Sequence, residues 1–156
     1  MFVTNDVVWL KIASLFAKEF TGCTKVAVGS AIVKNGKLVS LGANRADLDL
    51  CKTARGCLRV ELYGDNSKNH RGPADCRAIH SEIDAIASAH SDLNGATIYV
   101  TRYPCEACAR AIVRAGIKKV IYGREQKISD MTARMFEYHN IEVTHLYEYK
   151  GDDVLS

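Results

Sequence analysis

The chain has no run of lysines and arginines, no long apolar stretch and only two prolines in 156 residues. Without a basic cluster, its formal charge of +3 falls short of a nucleic-acid-binding footprint, although it suits a small anionic ligand. Met1 to Phe20 contains Asp6, Lys11, Lys18 and Glu19, which argues against a signal peptide or a membrane span there. The expectation is therefore a cytoplasmic protein with no membrane partner. In that compartment the six cysteines read as free thiols or metal ligands rather than disulfides. A hydrophobic fraction of 47% is ordinary for a globular protein, and the length predicts a single domain over residues 1–156.

What the sequence does contain is concentrated in two short runs, Ala78-Ile79-His80-Ser81-Glu82 and Pro104-Cys105-Glu106-Ala107-Cys108. Zinc takes imidazole nitrogen and thiolate sulfur, and three protein ligands leave a fourth position open, the arrangement of a catalytic site. Cys105 and Cys108 stand three apart, so in the first turn of a helix both sulfurs share a face. A helix N-terminus also favours the thiolate form that binds metal. His80 supplies a third ligand from another helix start. Glu82, two residues on, is placed beside the metal rather than on it, where it is free to carry protons. Taken alone, the Cys-x-x-Cys also reads as a redox pair or as half of a structural zinc knuckle. A structural site is closed by a fourth protein ligand, and a redox pair leaves His80 and Glu82 unexplained.

His-x-Glu followed by Pro-Cys-x-x-Cys is the signature of the zinc deaminases that act on nucleobases. The chain resembles the cytidine/deoxycytidylate deaminase superfamily, and within it the dCMP deaminases. The likeness runs from about Cys23 to about Tyr147 and includes Val28-Gly29-Ser30-Ala31-Ile32-Val33, Gly42-Ala43-Asn44, His80 to Ile86, Ile98 to Thr101, and Ala115 to Tyr122. By this resemblance Asn44 contacts the substrate's sugar and Tyr103 walls the pyrimidine pocket. From the residues alone, Asn44 also suits a strand-end turn and Tyr103 plain packing. Two positions depart from the pattern. Relatives commonly have Gly where this chain has Arg45, in a step associated with a dCTP-activated allosteric site, and Asn where it has Asp84. Arg45 reads as a solvated arginine or a phosphate contact.

The periodicity predicts an α/β protein, a three-layer α/β/α arrangement around a mixed five-stranded sheet with the site at strand ends. An opening helix is expected with Val8, Ile12, Leu15, Phe16 and Phe20 facing the sheet, capped by Asn5 or Asp6 and ending near Gly22. A hairpin turning on Asn35-Gly36 follows. The helix bearing His80 is expected to turn Ile79, Ile83, Ile86 and Ala87 to the core. A second metal helix should run from Cys105 to Ala115, and Ser129 should cap a short helix through Tyr138. Residues 45–75 form an insert with little periodicity. Cys51, Cys57 and His70 lie within it, Cys76 just after and Cys23 before the first strand, so a second, structural zinc can staple it, with Cys23, Cys51 and His70 as first ligand candidates.

The resemblance implies zinc-dependent hydrolytic deamination of a cytosine nucleotide, dCMP to dUMP with release of ammonia. Glu82 would be the catalytic acid/base and His80, Cys105 and Cys108 the zinc ligands, in a homo-oligomer, hexamer or dimer. Arg59, Arg71, Arg102, Arg124 and Lys127 are open as phosphate ligands. The alternatives are a deaminase of a free nucleoside or base, or of a base in nucleic acid, and a non-enzymatic zinc-stabilised binding or assembly protein.

Overall fold

The computed structural model describes residues 3–45, 51, 56–69, 76–125 and 129–151. Five strands form one mixed sheet: β1 (Gly29–Lys34), β2 (Lys37–Ala43), β3 (Thr97–Arg102), β4 (Lys119–Arg124) and β5 (Glu142–His145), in the order β2-β1-β3-β4-β5. The first two pairings, β2 with β1 and β1 with β3, are antiparallel, and those of β3 with β4 and β4 with β5 are parallel. The turn between β1 and β2 falls on Asn35 and Gly36, both left-handed at φ 52° and 73°, as a two-residue hairpin of this twist requires. Parallel neighbours cannot be joined by so short a loop. Accordingly α4 (Glu106–Arg114) connects β3 to β4, and α5 (Asp130–Tyr138) connects β4 to β5.

Side chains alternate across the sheet because the strand period is two. Ile32, Ile98, Val100, Val120 and Tyr122 enter one core with Ala85, Ala109, Ile112 and Phe136, contributed by α3 (Ser81–Ser88), α4 and α5. Ala31, Val33, Tyr99 and Ile121 face the other way, onto Leu10 and Ala13 of α1 (Val3–Phe20). The sheet is thus covered on both faces, giving the three-layer fold expected from the sequence. Among the described residues no helix is long and apolar enough to cross a membrane.

Two helix faces differ from expectation for one reason: most of the residues that lie against the sheet are small or polar. On α1 the buried positions are Leu10, Ala13, Ser14 and Ala17, while Val8, Leu15 and Phe20 are exposed and Ile12 and Phe16 half-buried. Alanines at this spacing allow the helix to lie close to β1. On α3 the buried positions are Ser81, Glu82 and Ala85, with Ile79 and Ala87 exposed and Ile86 only partly buried. The helix carries its functional groups inward, so an apolar stripe misleads there. α1 also begins at Val3, ahead of the expected cap. Within the insert the described residues include a short helix, α2 (Leu58–Tyr63), and a 3-10 turn over Gly64–Asn69, where the sequence showed little periodicity.

Three hydrogen bonds press α3 onto the hairpin. Ser40 Oγ donates to the Ala85 carbonyl at 2.7 Å, Ser30 Oγ meets Ser81 Oγ at 2.7 Å, and the Ala43 N–H donates to Asp84 Oδ2 at 2.9 Å. Between them Gly42 lies directly against the helix backbone. A Cβ there would come within 2.1 Å of the Ser81 carbonyl oxygen and 2.5 Å of the Ala85 nitrogen. Gly42→Ala must therefore push α3 away from β2, and we expect it to destabilise the fold by about 3 kcal/mol in denaturant unfolding. A loss within about 0.5 kcal/mol, the range of ordinary surface changes, would show that α3 is not held this closely.

Candidate active site

Both signature runs begin helices. His80 occupies the N-cap position of α3 and Cys105 that of α4, each with extended backbone. β3 delivers the second run: its last residue is Arg102, and Tyr103-Pro104 turns the chain into α4. The Tyr103 N–H donates to the Arg124 carbonyl at 3.0 Å, which ties this turn to the end of β4. The His80 Nδ1 atom comes within 3.5 Å of Cys105 Sγ and 3.4 Å of Cys108 Sγ. A ligating atom from each of the three residues lies within 4.8 Å of the others. One imidazole nitrogen and two sulfurs converging in this way fit zinc, and three protein ligands leave a position for water or substrate.

The electrostatics agree with such a site. The Cys105 thiol is lowered to about 3, first by the hydrogen bond from the Cys108 thiol and also by His80. As the donor of that bond, and by burial, Cys108 is pushed up. The Glu82 carboxyl is only 4% exposed, and burial raises it above its ordinary range. Its Oε2 accepts from Ser81 Oγ at 3.2 Å. A carboxyl raised towards neutrality beside a metal site is suited to taking and giving protons.

A cavity opens over these groups. His80, Glu82, Cys105, Asn44 and Tyr103 all line it, so the sequence-predicted residues gather at one place. Asn44 is 7% exposed and heavily bonded. Its Oδ1 accepts from Thr21 Oγ1 and from the Val28 N–H, both at 2.8 Å, and its Nδ2 donates to the Val26 carbonyl at 3.0 Å. Tyr103 is 4% exposed. It lines the cavity while its ring packs edge-on to Tyr122, with centroids 4.9 Å apart, and against Phe136. Of the residues open as phosphate ligands, Arg59 and Arg102 border the cavity and Arg124 ends β4, whereas Arg71 and Lys127 lie outside the described residues.

The extra cysteines collect on the same side. Cys23 and Cys76 line the cavity, and Cys51 is raised first by burial and then by the charges of Cys23, Cys57 and Cys76. Among the described residues, however, no three ligating atoms besides those of His80, Cys105 and Cys108 come within 4.8 Å of one another. His70 lies outside the described residues.

Sequence reasoning gave no role to Thr21 or to the serine pair. Thr21 orients the Asn44 amide, and Ser30 and Ser81 join β1 to the start of α3 beside Glu82. Neither has a sequence signal, since both depend on long-range packing. Arg45 is not among the residues that line this cavity, and it pairs with Asp84, the other position that departs from the family pattern.

The family profile described as "Cytidine and deoxycytidylate deaminase zinc-binding region" matches residues 3–124. The deoxycytidylate deaminase of Mycobacterium phage D29 is 34% identical over 123 residues, covering 77% of this chain and 94% of the phage protein. The chain belongs to the cytidine and deoxycytidylate deaminase family. The deoxycytidylate deaminase of Enterobacteria phage T4 is 32% identical over 144 residues, covering 72% of this chain and 74% of its own length. Among solved structures, the dCMP deaminase of cyanophage S-TIM5 in complex with dCMP and dUMP superposes with a TM-score of 0.68 at 26% identity, covering 88% of this chain and 93% of the cyanophage chain. The family's zinc-binding region includes the cluster at His80, Cys105 and Cys108. Replacing any of these three by Ser or Ala should reduce zinc to well below one equivalent per chain by elemental analysis. Retention of a full equivalent in all three variants would exclude this cluster as a zinc site.

Proposed function

We propose that this chain is a zinc-dependent deaminase that hydrolyses dCMP to dUMP and ammonia. The observation that carries this reading is the convergence of His80, Cys105 and Cys108 beside a buried Glu82 in one cavity, within a family whose relatives include deoxycytidylate deaminases. His80, Cys105 and Cys108 hold zinc, which when bound supplies the Lewis acidity that lowers the pKa of water from near 16 to about 7. Glu82 takes a proton from the attacking water and delivers it to the ring nitrogen as the new carbon–oxygen bond forms. It then transfers the remaining hydroxyl proton to the amine as the carbon–nitrogen bond breaks. Water and cytosine thus become uracil and ammonia, with the carboxylate regenerated.

Asn44 and Tyr103 frame the substrate. With both lone-pair directions of Oδ1 occupied, Asn44 serves as a hydrogen-bond donor through Nδ2, which suits an oxygen on the sugar. Arg59 and Arg102 on the cavity wall favour a phosphorylated substrate over a free nucleoside or base. A base within nucleic acid is disfavoured by a formal charge of only +3 with no basic cluster. We assign the protein to the cytoplasm and to a homo-oligomer, hexamer or dimer. The exposed Val8, Leu15 and Phe20 of α1 support self-association.

We further place a second, structural zinc at the insert, with Cys23, Cys51 and His70 as first ligands and Cys57 and Cys76 as the thiols nearest in role. Two of these sulfurs are already held as metal-bound thiolates are. The Lys25 N–H reaches Cys23 Sγ, and the Ala78 N–H reaches Cys76 Sγ, each at 3.4 Å. The purified chain should then contain two zinc ions rather than one, and Cys51→Ser should lose one of them and lower Tm while keeping the other. A single equivalent in the parent chain removes the second site.

The activity test follows ammonia release from dCMP, CMP, deoxycytidine, cytosine and a cytosine-containing oligonucleotide. The zinc-loaded chain should turn over dCMP best. Glu82→Gln should retain zinc while kcat falls on the order of 10²- to 10⁴-fold. A preference for deoxycytidine would move the chain to the nucleoside branch, and no ammonia from any substrate would overturn the enzymatic reading.

A further inference from the structure

Arg45 and Asp84 meet each other. Arg45 Nε donates to Asp84 Oδ2 at 2.9 Å, and the same oxygen accepts the Ala43 N–H at 2.9 Å. Residue 45 is also bridged to residue 79 through its main chain: the Arg45 N–H donates to the Ile79 carbonyl at 3.0 Å, and the Ile79 N–H donates back to the Arg45 carbonyl. Ile79 immediately precedes the metal ligand His80. On its outer side the Arg45 guanidinium lies over two rings of α1, 5.4 Å from the centroid of Phe16 and 5.6 Å from that of Phe20. The flat, weakly hydrated cation is thus held between aromatic faces and a carboxylate.

Asn44 stands between the two residues so held. Its own hydrogen bonds run to Thr21, Gly22, Val26 and Val28, and none reaches α3. The link from Asn44 to the helix bearing His80 and Glu82 therefore passes through its chain neighbours, and both converge on one oxygen of Asp84. We propose that the Asp84–Arg45 pair is a positioning clamp that sets where Asn44 meets the substrate relative to the metal and Glu82. Neither residue is among those that line the cavity. A neutral amide at position 84 can still accept the Ala43 N–H through its one oxygen, but it loses the negative charge that strengthens the bond from the guanidinium, so the pair acts as a unit.

The proposal rests on reading Asn44 as a substrate contact, and the experiment separates the two. Steady-state kinetics with dCMP are measured for the zinc-loaded parent and for Asn44→Ala, Asp84→Asn, Arg45→Met and the Asp84→Asn/Arg45→Met double variant, with zinc content and Tm recorded for each. Met keeps an unbranched apolar stem and removes the charge and donors, and with them the guanidinium contact to Phe16 and Phe20. Asp84→Asn and Arg45→Met should each raise KM about tenfold, with kcat within about threefold and zinc unchanged. The double variant should raise KM no more than either single change, because the second substitution has nothing left to break. A multiplicative rise in the double variant, or a fall in Tm with KM unchanged, overturns the clamp. A raised KM in Asn44→Ala alone removes the clamp and leaves the substrate contact standing, whereas an unchanged KM in Asn44→Ala removes both. Arg45→Met alters a partly exposed side chain, so it decides the matter even if Asp84→Asn fails to fold.

Discussion

A nitrogen and two sulfurs lie within 4.8 Å of one another, drawn from helix starts that are 25 residues apart in sequence, and this convergence governs the rest of the architecture. Neither helix can place its ligands alone. α4 has its N-terminus where β3 ends, the usual position of a site in a sheet with parallel strands. α3 must arrive from the other side, across the antiparallel hairpin, with its first turn pointing at the same spot. A ligand at each N-cap then sets two helix dipoles with their positive ends towards the thiolates and the carboxylate. Burial overrides that field for Glu82, whose carboxyl is raised rather than lowered, while hydrogen bonds bring Cys105 down. Two acidic groups in one pocket are driven in opposite directions.

The need to bring α3 close explains residues that would otherwise look indifferent. Ser40 and Gly42 on β2 and Ser30 on β1 face Ser81 and Ala85, and each is small or bonds to the helix. A sheet face lined with large apolar groups would hold the helix further away and separate Asn44 from His80. Hydrophobic burial is supplied further along, by Ile98, Val100, Ile112, Val120 and Phe136, at a distance from the metal. The polar end of the interface sets geometry, and the apolar end supplies most of the stability.

This division also explains what could be read in the sequence. The sheet, the hairpin at Asn35-Gly36 and the ligand set of His80, Cys105 and Cys108 follow from local rules: strand periodicity, turn chemistry and metal preference. The buried faces of α1 and α3 do not. Leu15 and Ile79 look like core residues by type, but the sheet accepts only the close approach that Ala13, Ala17, Ser81 and Ala85 allow. Asn44 was legible as a position in a pattern, but not its bonding, since Thr21, Val26 and Val28 come to it from a different part of the chain. Arg45 and Asp84 were visible singly as departures, and only the fold makes them one feature.

The bonding of Asn44 narrows what its amide can recognise. An asparagine free on a surface offers an acceptor and two donor hydrogens, and so distinguishes little. Here Oδ1 accepts two hydrogen bonds and, among the described residues, Nδ2 donates once, to the Val26 carbonyl. Among the described residues its second donor hydrogen meets no acceptor, and Asn44 lines the cavity, where an acceptor on a ligand would satisfy it. A sugar oxygen meets that requirement, whereas an aliphatic group would leave a buried N–H unpaired, which costs about 1–3 kcal/mol. The sheet therefore leaves a residue with several bonding modes only its donor capacity, on the same cavity wall as the buried Glu82 carboxyl.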